Sequence, residues 1–301
     1  AYINVLFTLP TQLARDNVSL ASETFEKCVQ ISSKYYTGAG ENTKQYTEGF
    51  GNGLIKAFTE PLCSYEISPI HFICEYINTN LLTPKYKDIY EETLKIVKKV
   101  FVHSKPAHVD YLEGILSTLN KLYENPSYKE AVESCFVAAF DHVGVRSILE
   151  VLPLNLDVPI VSRGQDGSLL NHSYLISIML KCHLHEELQF YYTLLGTCIP
   201  LLNKLIKQAI DTNSHVESKN LQMIKSHFIL LFDRFIINPV DYEFFPNMVD
   251  IIVELLNDDS TLKMGCDIID HAVKCHPKQP EPMQKMSQKL ILTLFNVLSK
   301  K

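Results

Sequence analysis

The sequence predicts an all-α fold, an α-solenoid of HEAT/armadillo-like antiparallel helix pairs. Three observations carry that expectation. Apolar residues recur at i, i+3, i+4 and i+7 along most of the chain, the period of a helix with one buried face. No comparable series of alternating strands competes with them. Prolines punctuate the pattern at a fairly regular beat, at Pro61, Pro84, Pro106, Pro126, Pro153, Pro239 and Pro277, mostly beside a helix or in its first turn, where a missing N–H costs little. Helices of about 15–20 residues in consecutive pairs give a period of roughly 40, as in HEAT and armadillo arrays. One pair cannot bury its own apolar faces, so neighbours must stack into a continuous core.

The elements follow in order. Ile89, Leu94, Val97, Val100 and Phe101 mark a first helical face, and Tyr111, Leu112, Ile115, Leu116, Leu119, Leu122 and Tyr123 a cleaner one. After the breaker Asn125-Pro126-Ser127 come Val132, Cys135, Phe136, Ala139, Phe140 and Val143. The pattern returns at Leu188, Tyr191, Tyr192, Leu195, Ile199 and Leu202, then at Ile224, Phe228, Leu231 and Phe235. Val249, Ile252, Val253 and Leu256 predict another helix, Leu262, Cys266, Ile269 and Val273 the next, and Met286, Leu290, Leu294 and Val297 the last. Residues 37–45, 161–171 and 276–282 read as loops, none long enough to separate domains. The whole of 1–301 is expected to be one continuous helical-repeat segment. Starting at Ala1-Tyr2-Ile3 and ending on Lys300-Lys301 after an apolar helix, it reads as a piece of a longer solenoid.

The chain has 301 residues, 46% of them hydrophobic and 21% charged, the balance of a folded soluble protein. A formal net charge of −6 argues against generic adhesion to nucleic acid or anionic membrane, so any RNA contact needs a local basic stripe. No apolar run reaches the ~18 residues of a membrane span. The eight cysteines are scattered and lie mostly in apolar stretches, which reads as reduced, buried thiols in an intracellular compartment.

Nothing in the motifs demands catalysis or a cofactor. Gly49, Gly51 and Gly53 in "EGFGNGL" lack the preceding strand and the following Lys-Ser or Lys-Thr of a phosphate cradle, and read as a turn. "KCHLHEE" gathers Cys182, His183, His185 and Glu186, and "HAVKCH" puts His271 and Cys275 four apart on one helix face. A structural zinc site needs two such pairs, so a metal site requires Cys182, His185, His271 and Cys275 to converge; core cysteines beside surface histidines are the plainer expectation. The sequons at Asn17 and Asn171 read as chance matches beside reduced cysteines.

Lysines are the candidate contact residues. Lys95, Lys98 and Lys99 share "ETLKIVKKVF", with Glu91 one turn before Lys95; Lys204 and Lys207, with Lys219 and Lys225 further on, make a second group. Solvated helix faces are the ordinary reading of such residues. The functional one is a ridge facing phosphate or a protein partner.

"SILEVLPLNLDVPIV", residues 147–161, departs from the helical period. Ile148, Leu149 and Leu152 close a helix, Pro153 biases Leu152 away from continuing it, and Leu154 and Leu156 read as an extended segment tucked among helices. With "LLNHSYLISIMLKCHLHEELQFYYTLLGTCIPLLNKLI", "HVESKNLQMI" and "INPVDYEFFPNMVDIIVELLND", this stretch resembles the central region of the ribosomal-RNA-processing protein 12 family over about residues 147–259. Tyr174 and Phe228 stand near positions where that family's helices carry tryptophan. The resemblance implies a long HEAT-repeat scaffold without catalysis. It implies a location in the nucleolus and nucleus, with shuttling to the cytoplasm, and work on precursor small-subunit particles, including pre-rRNA processing and export. Its implied partners are assembly-factor proteins, precursor or ribosomal RNA, and export machinery such as the small GTPase Ran. No membrane is among them. It also implies that Leu152, Pro153, Leu154, Leu156, Glu217 and Pro239 are architectural positions. The alternative reading is a HEAT-repeat nuclear transport receptor or adaptor unrelated to ribosomes; a metal-dependent helical enzyme is the third.

Overall fold

The computed structural model describes Lys27 and residues 74–75, 77–83, 87, 90–259, 261–278 and 280–299. The glycines 49, 51 and 53, the 37–45 loop, Pro61, Pro84, Ile89, Cys28, Cys63 and the sequon at Asn17 lie outside the described residues. Among those described, the chain is α-helical without a strand, apart from one isolated antiparallel bridge between Arg163 and Leu169. The helices are α1 (Tyr90–His103), α2 (Val109–Leu122), α3 (Lys129–His142), α4 (Val145–Val151), α5 (Tyr174–Met179), α6 (Leu188–Asp211), α7 (His215–Ile237), α8 (Val249–Asn257), α9 (Leu262–Cys275) and α10 (Glu281–Ser299). A π-turn at Ile77–Leu81 and 3-10 segments at Pro106–His108 and Tyr242–Met248 complete the order.

These helices fall into two compact units. One takes the described residues up to Val143 with Ser147–Pro153 and Arg163–Leu169; the other takes Gly144–Arg146, Leu154–Ser162 and everything from Leu170 on.

In the first unit α1 lies against α3, and α2 against the π-turn. Leu112, Ile115, Leu116 and Leu119 of α2 are fully buried, as the period requires. Gly114 allows the close approach of α2 to the π-turn: a Cβ there would sit 2.8 Å from the Asn78 amide nitrogen. The Thr118 hydroxyl donates to Asn78 Oδ1 at 2.7 Å across the same seam. Residues 163–169, which the sequence reads as loose, are fastened down. Buried Asn120 donates to the Leu169 carbonyl at 2.8 Å, Lys121 pairs with Asp166 at 2.8 Å, and Arg163 pairs with Glu124. Gly167, at φ +80°, makes the tight turn between.

In the second unit α6 packs along α7, α8 along α9, α7 against α9 and α8 against α10. This is the antiparallel-pair arrangement the periodicity predicts. α6 runs to Asp211, through Pro200, and so extends well past the apolar series that announces it. An aromatic seam holds the unit. Tyr191 of α6 is wholly buried, stacks on Phe235 with ring centres 4.6 Å apart, and reaches Phe232 at 5.6 Å and Phe228 at 6.1 Å. Its hydroxyl donates to the Phe228 carbonyl at 2.8 Å. Phe245 and Tyr242 of the 3-10 segment extend the seam to His276, whose ring stacks 3.8 Å from Tyr242.

α6 has no local side-chain cap at Glu187. Asp241, far along the chain, supplies one: its two carboxylate oxygens accept the N–H groups of Leu188 at 2.5 Å and Gln189 at 3.1 Å. A carboxylate is the group that suits the positive end of a helix. Two substitutions read out these contacts in urea unfolding of the chain. Tyr191→Ala is expected to cost about 3–5 kcal/mol, the range for deleting a large buried aromatic side chain. Asp241→Ala is expected to cost about 1–2 kcal/mol, with exposed Glu243→Ala near zero as the control.

Candidate partner-binding surfaces

The candidate lysines lie on α1, α6 and α7. Lys95, Lys98 and Lys99 are exposed on α1 of the first unit, at the spacing that places all three on one helix face. Lys204 and Lys207 are exposed on one face of α6 in the second unit. Lys219 and Lys225, both on α7, are not brought together: six residues of helix turn them about 120° apart. Lys219 is exposed, whereas Lys225 is half-buried and faces a cleft.

That cleft is a channel of about 750 Å³ inside the second unit, walled by α6 and α8 and floored by α7. α6 contributes Leu195, Gly196, Ile199, Pro200, Asn203 and Ile206. α7 contributes Gln222, Lys225, Ser226 and Ile229, and α8 contributes Ile251, Glu254 and Leu255, with Asp258 just past its end. Each set repeats at three and four residues, so each is one stripe of its helix. Pro200 has no N–H to give the carbonyl of Gly196, which leaves a backbone acceptor on the α6 wall without its usual donor. The sequence reading missed this cleft, because polar members such as Asn203, Gln222 and Glu254 hide its stripes from an apolar periodicity. The only visible signal was Pro200 inside an otherwise unbroken helix.

The titratable cluster does something other than chemistry. Cys182 is buried and its thiol donates to the Ile178 carbonyl at 3.3 Å. His185 Nδ1 bonds the Asn238 carbonyl at 3.0 Å, and His276 Nε2 the Ile236 carbonyl at 2.7 Å, so both nitrogens carry their hydrogen. These imidazoles tie off the C-terminal end of α7. His271 pairs with Asp233. Among the described residues no three His, Cys, Asp or Glu side chains are grouped to hold a metal ion, and Cys182, His185 and His271 each bond to other groups. Cys266 and Cys275 are exposed on α9, against the expectation of buried thiols; Cys74, Cys135, Cys182 and Cys198 are buried. Burial pushes the Cys74 and Cys135 thiols up to about 12 and Cys198 to about 11, far from reactive thiolates.

Of the residues singled out as architectural, Leu152, Leu154 and Leu156 are all buried, Pro239 is half-buried, and Pro153 is exposed. Glu217 is exposed in the first turn of α7, where a carboxylate favours the helix. The segment from 154 on is no strand. Asn155 takes a left-handed φ of +47° and donates to the Leu170 carbonyl at 3.0 Å. Asn171 answers with bonds to the carbonyls of Asn155 at 3.2 Å and Val158 at 2.6 Å. Its amide is buried and fully engaged, which makes it no glycan acceptor.

Residues 41–301 match the model of the HEAT repeats of ribosomal RNA-processing protein 12. The chain belongs to that family. The match runs past both ends of 147–259, the stretch that carries the resemblance by eye, and takes in helices α1–α3, which show no motif of their own. No curated protein matches the chain. Membership in the RNA-processing protein 12 family makes the helix pairs HEAT repeats and the fold an all-α solenoid, and it ties the chain to ribosome biogenesis. Among the described residues no helix is long and apolar enough to cross a membrane.

The run His185-Glu186-Glu187, within the family-like stretch, also carries a titration. Glu186 accepts the Arg146 N–H at 3.2 Å, while Glu187 pairs with the Arg146 guanidinium at 2.5 Å. Gly144, at φ +97°, leaves room for this: a Cβ there would lie 2.7 Å from Glu186 Oε1. Burial raises the Glu186 pKa above the ordinary glutamate value, only partly opposed by bonds from Arg146 and Val145. The folded chain therefore holds this proton more tightly than the unfolded chain. The stabilisation it brings is present in acid and is lost as pH rises through the folded-state pKa. Glu186→Gln should accordingly gain stability relative to the parent as pH rises from below 4.5 toward neutrality, measured by urea unfolding across that series. A constant difference would refute the shift.

Proposed function

We propose that this chain is a non-catalytic scaffold in ribosome biogenesis, binding precursor small-subunit particles in the nucleolus and nucleus and assisting pre-rRNA processing and export. The observation that carries the reading is the family match over residues 41–301. A stack of helix pairs suits the task, since it offers successive surfaces for many modest contacts. Protein partners dominate, because a chain of net charge −6 repels phosphate except where lysines cluster. Lys95, Lys98 and Lys99 are the best placed for such a local RNA contact. Lys204, Lys207 and Lys219 serve as further positions facing RNA or protein, and Lys225, turned into the cleft, as a position facing protein. Export machinery, Ran included, belongs to the same reading as a transient partner.

The test is to tag the natural full-length protein, isolate its complexes at low salt and sequence the RNA that accompanies it. Precursor small-subunit RNA with assembly factors is the expected yield; a particle-free cytoplasmic pool would overturn the proposal. A salt titration checks the lysine assignment. Replacing Lys95, Lys98 and Lys99 together by Gln should flatten the slope of log affinity against log salt for an RNA fragment by about 2–3, close to one per lost phosphate contact.

A further inference from the structure

The channel between α6, α7 and α8 has the form of a helix-binding groove. Three helices turn stripes of i, i+3, i+4, i+7 spacing toward one volume of about 750 Å³. That spacing is how a helix receives the ridge of another helix. We infer that the channel docks a short amphipathic helix of a partner protein, one whose aliphatic stripe is bordered by a basic side chain. The inference rests on the scaffold reading and gives it a partner chemistry.

Shape, polarity and charge each support that occupant. Ile199, Ile206, Ile229 and Ile251 are only half-buried, so the walls still offer apolar surface to aliphatic anchors spaced along one helix face. The α8 wall carries Glu254, which is exposed, while the α6 wall carries no charge. Glu254 makes no ion pair or hydrogen bond among the described residues. A lysine or arginine flanking the incoming stripe would find its counter-charge there. Lys225 on the floor, also without a partner among the described residues, would meet the C-terminal carbonyls of the docked helix, the end that favours a cation. RNA fits poorly. Its phosphates would face two carboxylates, and Tyr192, the aromatic ring at the cleft, is already set edge-on against Phe244 at 5.7 Å.

The test uses a fluorescein-labelled synthetic peptide of about four helical turns, with leucines at i, i+3, i+4 and i+7 and one flanking arginine, in anisotropy titrations against the whole chain. A matched peptide carries glutamate for arginine, and a polyuridine oligonucleotide serves as the third probe. Gly196→Leu fills the channel without disturbing the fold, because a Cβ at Gly196 meets nothing within 4 Å; circular dichroism and the unfolding midpoint verify this. It should weaken the arginine peptide about tenfold or more. Glu254→Lys should weaken the arginine peptide and strengthen the glutamate peptide, reversing the preference between them. The inference is overturned if neither variant changes peptide binding, or if Gly196→Leu displaces polyuridine instead of peptide. Precursor particles that still co-isolate with full-length protein while the peptides fail would remove the docking inference alone. Loss of the particles with peptide binding intact would remove the scaffold reading alone.

Discussion

One constraint organises the second unit: α6 and α7 each carry a face too apolar to leave in water, and Tyr191 is where the two faces lock. Its ring stacks within the Phe228, Phe232 and Phe235 ladder, and its hydroxyl ends on a backbone carbonyl, so burial of the ring leaves no polar debt. The seam then passes through Phe245 and Tyr242 to His276, which ties the 3-10 segment and the end of α9 to the same core. The cleft follows from that arrangement. Tyr242–Met248 occupies the place beside α6, and α8 starts only at Val249, so α6 and α8 stand apart over α7 rather than closing on each other.

The same economy governs the helix ends. Asp241 closes the N-terminus of α6, and His185 and His276 close the C-terminus of α7. All three residues come from turns or from the ends of neighbouring helices. A repeat that caps its neighbour's helices makes pairing and capping one event, since neither helix end is satisfied until the next element is in place. This gives a physical meaning to "HEEL" and "NPVDYEFF". They carry groups that join one helix pair to the next.

The helices were legible because burial on one face imposes a period that survives substitution, as at Leu112, Ile115, Leu116 and Leu119. What escaped depends on contacts distant in sequence. Nothing local announces that Asp241 caps α6, that Asn120 holds Leu169, that Asn171 holds Asn155 and Val158, or that Cys266 turns outward while Cys182 turns inward. The split of the lysines was equally hidden. Lys219 and Lys225 read as neighbours along the chain, yet the helix turns one to solvent and the other into the channel.

How an acidic chain can work on a particle rich in phosphate is a question of distance. Salt screens exposed charges beyond about 8–10 Å, so the net charge of −6 is largely lost at a distance and does not decide what happens at contact. At contact a phosphate senses its immediate neighbours. Lys95, Lys98 and Lys99 lie at i, i+3 and i+4 spacing, with Cβ atoms about 5–6 Å apart, and therefore act as one local field. The channel wall behaves oppositely, with Glu254 exposed on α8 and Asp258 just past its end. On the two proposed readings, a single acidic chain offers phosphate one helix face and a basic peptide another, each selected within a Debye length by a handful of side chains.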